Sequence, residues 1–411
     1  MKFNIITLGC KVNAYESNYM SESLINNGFF LCEDNSKCDV IIINTCTVTD
    51  TSDKKSLKMV RRVRRENPNA ILVVCGCSTQ YNKDMYENLN IDILLGNTKK
   101  SKIVDLINEY IVKKTCICDF NYNRDLPFED MEITKFDQVR AYIKVQDGCN
   151  NFCSYCIIPY VRGDIRSRDF DSVIKEATSL AASGYKEIVL TGIHTGSYNS
   201  NGKDLCDLID ALSLIDGIKR VRLSSIEITE LNDKFMELLK RNPVLCDHLH
   251  IPLQAGSDEI LKRMHRKYDL KYFEDKINLI RSIRPGISIT TDVIVGFNYE
   301  TDELFNDCYN FCKKINFAKI HVFPYSKRTG TAASFMPEEI PEGVRKERAR
   351  KLISLSNELE KNYYDENKGK FLDVLIEQNL NGKAIGHTSN YLCVELPEIL
   401  EVNKIYNREI K

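Results

Sequence analysis

Apolar and polar positions alternate in two separate series along this chain. In the first hundred residues three β-rich runs, "FNIITLGC", "CDVIIINTC" and "AILVVCGC", each end at a cysteine. Short apolar runs of this kind, closed by turn residues, predict strands. Helix-like segments follow them at Ala14–Asn26, Ser52–Glu66 and Lys83–Leu89, with a further helix around Lys102–Ile111. Such alternation predicts a parallel sheet with helices on its faces. In open α/β sheets the ligand site lies at the carboxyl ends of the strands. Cys10, Cys46 and Cys77 all fall there, far apart in sequence and expected to share one site.

Residues 115–138 lack periodicity, carry Pro, Asn and Asp, and read as an interdomain linker. A second alternating series then begins, with candidate strands "RAYIKVQDG", "EIVLTG", "RVRLSSIE", "LHIPLQ", "ISITTDVIVG" and "KIHVFPYS". Helix-length segments such as Asp171–Ser183 and Tyr272–Ile283 separate them. Six strands in this span predict a complete or partial parallel α/β barrel, with reactive groups on the loops after its strands. A polar stretch from Glu342 to Asn367 reads as one long helix. The runs "FLDVLIE", "GKAIGHT" and "YLCVEL" then predict a small β-barrel appendage.

Composition narrows the chemistry. A formal net charge of −1 over 411 residues gives no global signal for nucleic acid, so any such binding rests on local patches. The longest apolar runs are strand-sized, and the start lacks a secretory leader's apolar core, so a cytoplasmic protein with no membrane role is expected. Sixteen cysteines in a reducing compartment argue for metal before disulfides. Cys32, Cys206, Cys246, Cys308, Cys312 and Cys393 stand singly or in helical stretches and read as small apolar fillers.

The most concentrated chemistry is "DGCNNFCSYC", directly after the first barrel strand. Structural zinc takes four ligands, usually as two spaced pairs, and no fourth Cys or His follows within the next thirty residues. Three thiolates on one loop suit a [4Fe–4S] cluster with one iron left open to an external ligand. The spacing C-x-x-x-C-x-x-C, with Tyr155 before the last cysteine, resembles the radical S-adenosylmethionine superfamily. The wider string "AYIKVQDGCNNFCSYCIIPYVRGDIRSR" resembles the methylthiotransferases within it. So do "TLGCKVNAYES", "NTCTV", "VVCGCSTQ", "LTGIHTGSY", "RLSSIE", "LHIPLQAGS", "TTDVIVGF" and "YSKRTGTAA", in the family's order and over nearly the whole chain.

The resemblance implies an α/β architecture in three parts. These are a flavodoxin-like N-terminal domain over residues 1–115, a radical-SAM partial barrel over 139–366 and a small TRAM β-barrel over 367–411. It implies two [4Fe–4S] clusters, a radical-generating one on Cys149, Cys153 and Cys156 and an auxiliary one on Cys10, Cys46 and Cys77. Cys75 competes for the third auxiliary position, since strand alternation points it the same way as Cys77; the family's Gly-Cys matches Gly76-Cys77. S-adenosylmethionine would serve both as methyl donor and as radical source. Tyr155, Thr191, Gly192, Glu227, Gln254, Ser257 and Gly296 are its candidate contacts, with no catalytic residue needed beyond the cluster ligands. The chain departs from the family at Phe297-Asn298-Tyr299-Glu300, where Phe-Pro-Gly-Glu is usual, and at Thr329, where Pro is common.

The family acts on modified adenosines beside the tRNA anticodon or on a ribosomal-protein aspartate. "GCKVNAYES" resembles the branch acting on N6-threonylcarbamoyladenosine; the isopentenyladenosine branch usually reads Gln-Met-Asn after that cysteine and the ribosomal branch Pro-Lys-Asn. A tRNA partner and an electron donor such as flavodoxin or ferredoxin are implied. A rival of another class is a non-catalytic iron–sulfur carrier or RNA-binding protein, which would have little use for such barrel motifs. "KKSLKMVRRVRR" carries seven basic residues and no acid on one predicted helix, as an RNA-facing stripe would. Arg162, Arg166 and Arg168 are expected to add positive charge at the mouth, whereas residues 367–411 balance six basic against six acidic residues. His194, His248, His250, His265 and His321 form no helical H-x-x-x-H pair and read as polar strand-end or surface groups.

Overall fold

In the computed structural model, which describes residues 1–120 and 126–411, the N-terminal part is a six-stranded parallel sheet. Its strands are β1 (Lys2–Thr7), β2 (Phe30–Leu31), β3 (Val40–Thr45), β4 (Ile71–Gly76), β5 (Ile93–Leu95) and β6 (Ile117–Asp119), in the order β2-β1-β3-β4-β5-β6. β3 and β4 are buried throughout, as parallel strands covered on both faces must be. Alternation sorts their side chains. Ile42 and Val73 pack with Met20, Leu24 and Ile107 on one face, while Ile41, Leu72 and Val74 pack with Leu57, Val60 and Val63 on the other. Helix α1 (Lys11–Asn26) thus lies on the first face and α2 (Asp50–Glu66) on the second.

The strand order reverses between β1 and β3, which opens a crevice at their carboxyl ends. Cys10 and Cys46 stand on its two sides. Three of the six strands escape the sequence pattern because they are only two or three residues long. One of these, β6, comes from the stretch expected to be a linker. Further along that stretch Met131, Ile133 and Phe136 are buried in the barrel core, so the expected linker is largely structured; its residues 121–125 lie outside the described residues. The helix expected at Lys83–Leu89 is a single turn, Asp84–Glu87, preceded by an unexpected short helix α3 (Cys77–Tyr81).

The second series forms six parallel strands: β7 (Arg140–Lys144), β8 (Glu187–Thr191), β9 (Arg220–Leu223), β10 (His248–His250), β11 (Ser288–Val295) and β12 (Lys319–Pro324). They pair as two three-stranded sheets, β9-β8-β7 and β10-β11-β12, joined by an isolated bridge between Val221 and Leu245. The architecture is therefore an open, partial barrel. No helix among the described residues is long and apolar enough to cross a membrane.

After the long helix Glu342–Asp365 comes an antiparallel sheet of β13 (Phe371–Leu380), β14 (Lys383–Thr388), β15 (Cys393–Leu396) and β16 (Ile405–Glu409), the last unforeseen in the sequence. This sheet docks on the amino-terminal rim of the barrel. Arg220 donates to the His387 carbonyl at 3.0 Å, Arg222 to the Ser389 carbonyl at 3.1 Å, and the Ser288 hydroxyl to the Asn390 carbonyl at 2.7 Å. Cys393 is exposed there and is not a core filler, whereas Cys32 is half-buried against the N-terminal sheet core and Cys206, Cys246, Cys308 and Cys312 are buried as expected.

At that junction Glu377 lies 2.9 Å from both Arg140 and His387. Burial pulls the His387 imidazole down, but hydrogen bonds to Cys393 and Glu377 push it up to about 9. The pKa is raised on folding, so its stabilisation is complete below about 6.5 and lost as pH rises through about 9. Both bonds lie within the C-terminal sheet, so we expect that sheet to lose roughly 2–3 kcal/mol of folding stability over that window. Hydrogen exchange of β14 amides against pH checks this: His387→Gln should remove the pH dependence, and an unchanged profile would contradict the assignment.

Candidate active site

The loop after β7 carries Cys149, Cys153 and Cys156, all half-buried. Gly148 starts it at φ +74°, where a Cβ would lie 1.9 Å from the Asp164 carbonyl oxygen, so the backbone can pass only as glycine. The Cys149 amide donates to the Gly163 carbonyl at 3.0 Å and the Ser154 amide to that of Met264 at 3.1 Å, which fixes both sides of the loop. The three cysteines open on a cavity of about 210 Å³ that Tyr155, Glu227, Gln254 and Arg266 also line. A second cavity of about 180 Å³ shares Tyr155, Cys156 and Gln254 with it and reaches Val48 and Thr49, just past Cys46.

The donor set suits an iron–sulfur cluster. Arg266 donates to Cys153 Sγ at 3.2 Å and pairs with Glu227, so a cation stands ready against a thiolate. Among the described residues His194 is the one imidazole lining the cavity. Burial lowers its pKa, but hydrogen bonds to Cys149 and Glu230 push it up to about 10. Its Nε2 is already paired with Glu230. With Glu227 held by Arg266 and His194 by Glu230, the three sulfurs match a cluster with one open iron.

The candidate cofactor contacts divide. Tyr155, Glu227 and Gln254 line the cysteine cavity. Thr191, at the end of β8, is buried behind it. Gly192 lies against Gln146, where a Cβ would come within 3.0 Å of Gln146 Oε1. That oxygen accepts from the Ile193 and His194 amides at 3.0 and 2.7 Å, so Gln146, which the sequence did not single out, pins the loop. Ser257 is not brought to the cavity: it precedes the helix Asp258–Arg263 and lines a separate cleft with Leu270 and Leu304. Gly296 likewise approaches Arg345, whose Cγ would be 2.3 Å from a Cβ there. The departing turn beside it holds Tyr299 at φ +68°, a conformation that favours glycine; the Arg263 guanidinium covers its ring at 4.0 Å.

The dispersed cysteines converge. Cys10 caps α1, Cys46 follows β3 and Cys77 begins α3. A Cβ on Gly9 would lie 2.9 Å from Cys46 Sγ, so the β1 turn passes directly over that thiol. Burial and the neighbouring Cys77 raise Cys46 to about 11. Cys75 belongs elsewhere: it packs in the apolar core with Phe3 and Val73. The expected shared orientation fails because Gly76, at φ +113°, ends the strand and turns Cys77 towards Ile157 and Val161 of the barrel.

Ile157 precedes and Val161 belongs to the short helix Ile158–Arg162, which starts two residues after Cys156 and ends at a fully buried arginine. Arg162 Nε donates to Cys77 Sγ at 3.3 Å, while Nη1 reaches Glu16 at 3.1 Å and Asp147 at 3.2 Å. Lys144 bridges the same two carboxylates at 2.9 and 2.6 Å, and Lys100 pairs with Glu16. Burial opposes ionisation of Glu16, but Arg162, Lys100 and Lys144 hold its carboxyl well below the usual range. With Arg166 also near Asp147, two carboxylates thus meet four cations, and Arg162 turns part of the unmatched positive charge towards Cys77. An anionic cluster on Cys10, Cys46 and Cys77 would supply its counter-charge. Arg162 and Arg168 are therefore buried partners, Arg168 of Glu176, and Arg166 faces Asp147 at 3.6 Å; none is the open positive rim expected from sequence.

His248 is buried, whereas His250 and His321 face Asp292 in the barrel, with ligand-type atoms of the three within 4.8 Å of one another.

Comparison with known proteins agrees with this geometry. Residues 143–312 match the model of the radical SAM superfamily, and residues 2–96 match an uncharacterized protein family, UPF0004. The chain is 42% identical to the Bacillus subtilis threonylcarbamoyladenosine tRNA methylthiotransferase MtaB, over 94% of this chain and 88% of that protein. Identity to the Aquifex aeolicus protein of the same name is 37%, over 98% and 99%. A tRNA-2-methylthio-N(6)-dimethylallyladenosine synthase of Pelotomaculum thermopropionicum is 36% identical over 92% and 86%. Among solved structures, the radical S-adenosylmethionine methyltransferase TsrM of Kitasatospora setae shares the fold, with a TM-score of 0.58 at 16% identity over 81% of this chain and 77% of that one.

Removing Arg162 strips Glu16, Asp147 and Asn13 of a hydrogen-bond donor in a buried setting. We expect Arg162→Leu to cost about 3–5 kcal/mol, read as a drop of several degrees in melting temperature. A melting temperature equal to that of the unaltered chain would contradict the network's role.

Proposed function

Because the chain belongs to the radical S-adenosylmethionine methylthiotransferases, we propose that it inserts a methylthio group at C2 of N6-threonylcarbamoyladenosine beside the anticodon of tRNA. It is an enzyme that transfers a sulfur-containing group, and its family brings S-adenosylmethionine and a [4Fe–4S] cluster. In this reading Cys149, Cys153 and Cys156 hold that cluster, and Cys10, Cys46 and Cys77 hold a second one. The observation that carries it is the Ile158–Arg162 helix, which runs from the compact cysteine loop to a hydrogen bond on Cys77 and so sets the two thiol groups against one reaction space.

When bound, these groups supply radical hydrogen abstraction, sulfur and the methyl group. The chain's own residues bind, orient and exclude water. Arg266 and Arg162 neutralise thiolates, Gln146 fixes the loop beneath the cofactor, and Tyr155 with Ile294 and Phe323 walls the second cavity against solvent. Tyr155, Glu227 and Gln254 are the contacts we assign to S-adenosylmethionine, with Thr191 and Gly192 shaping the wall behind them. An external carrier such as flavodoxin or ferredoxin would deliver the electron.

RNA engagement is supported by α2, on which Lys54, Lys55, Lys58, Arg61, Arg62 and Arg65 are all exposed. The C-terminal sheet, of TRAM type, would add contacts that do not depend on net charge. Relatives named for dimethylallyladenosine support a second reading, the same chemistry on an isopentenyl-type adenosine.

Nucleoside mass spectrometry of tRNA from a strain lacking the protein decides. The methylthio form of threonylcarbamoyladenosine should vanish while its precursor accumulates. Loss of the methylthio isopentenyl form instead would overturn the substrate, and loss of neither would overturn the tRNA assignment.

A further inference from the structure

Below the two cavities the barrel lumen is polar, and its charges are nearly all matched. Tyr391, held at φ +64° in the C-terminal loop, stacks on His248 at 4.5 Å. Arg222 and Arg140 lie over its ring at 4.8 and 5.5 Å. Each arginine has its own carboxylate, Arg222 with Glu187 at 2.6 Å and Arg140 with Glu377 at 2.9 Å. Asp292 has His250 at 3.3 Å.

Lys11 is the exception. It follows Cys10 as the first residue of α1, a helix that packs on β7. It is half-buried, and its charge is felt at Tyr391, His248 and His321 as well as at Cys10. Among the described residues it makes no ion pair and no hydrogen bond. An ammonium withdrawn from water beside two arginines, with no counter-ion of its own, costs free energy unless an anion completes it. A small cation on His250, Asp292 and His321 does not fit that field. Lys11 is close by, and both His250 nitrogens are already engaged, Nδ1 with Thr290 Oγ1 at 3.0 Å and Nε2 with Asp292.

We propose that Lys11 binds the carboxylate of the substrate's threonylcarbamoyl group and so selects an anionic N6 substituent over an apolar one. The proposal rests on the substrate reading above. C2 and N6 of adenine flank N1 on a single edge of the base. A residue adjacent to Cys10 is therefore within side-chain reach of the N6 substituent when C2 faces the dispersed cysteines. Consecutive Cα atoms are only about 3.8 Å apart, and a lysine stem spans the remainder. The same ammonium would have nothing to pair with on an isopentenyl group, and burying it there would be penalised.

The test pairs a change in the protein with a change in the ligand. Cluster-loaded enzyme is titrated with two anticodon stem-loop RNAs, one bearing threonylcarbamoyladenosine and one bearing its carboxylate methyl ester. The unaltered enzyme should prefer the acid on the order of tenfold to a hundredfold, as a desolvated ion pair allows. Lys11→Met should bind both alike, whereas Lys11→Arg, which keeps the charge, should keep a preference. Iron content per chain reports whether each variant retains its clusters. A Lys11→Met enzyme that still prefers the acid, an unaltered enzyme that prefers neither, or an iron-replete Lys11→Arg enzyme that prefers neither would overturn the proposal. Failure of the unaltered enzyme to methylthiolate threonylcarbamoyladenosine tRNA would remove the function reading itself, a separate outcome.

Discussion

Five buried charges, Glu16 and Lys100 from the N-terminal sheet domain and Lys144, Asp147 and Arg162 from the barrel, hold the two halves of this molecule in one arrangement. Buried ion pairs add little net stability over a well-packed apolar core, because desolvation offsets most of the Coulomb gain. What they impose is geometry, since any other docking of the halves would leave unpaired charges in a dry interior. Tyr15, Glu176 and Arg168 repeat the device a short distance away, again across the domain boundary. The cysteine sets depend on this arrangement. Asp147 lies two residues before Cys149, Glu16 lies six after Cys10, and Arg162 touches Cys77.

The remaining parts follow from where that junction sits. The N-terminal sheet offers its topological switch crevice and the barrel its strand-end loops, so two carboxyl-end sites of independent folds face each other. The opposite rim of the barrel is closed by the C-terminal sheet through arginine-to-carbonyl hydrogen bonds and a tyrosine stacked inside. Between the two rims lies a lumen whose charges, among the described residues, are matched except for Lys11, a residue that enters from the N-terminal domain. On the proposed function, cofactor, sulfur site and substrate pocket would draw on all three parts.

Much of this was legible in the sequence because the relevant signals are local. Three cysteines on one loop, and cysteines at the ends of β-branched runs, need no tertiary information to be noticed. Strand-length apolar segments gave the barrel series, but β2, β5 and β6 are too short to carry a pattern. The choice between Cys75 and Cys77 turned on a single positive φ at Gly76, which period-2 alternation cannot foresee. Charge was misread most. Arg162 and Arg168 are indistinguishable in sequence from surface arginines, and only their distant partners, Glu16 and Glu176, make them interior groups. Ser257 and Gly296 lie away from the cysteine cavity for the same reason: a motif places a residue after a strand, but packing near Leu304 or Arg345 decides its surroundings.

The proposed function requires two separate three-cysteine sites, held together by the domain junction and not merged into one. Quantifying iron and acid-labile sulfide in the anaerobically reconstituted chain, with and without Cys149→Ala, Cys153→Ala and Cys156→Ala together, tests this most directly. Two [4Fe–4S] clusters give about eight irons per chain, and the triple variant should retain about four, held by Cys10, Cys46 and Cys77. A variant that keeps the full complement, or one that keeps no iron, would contradict the two-site account.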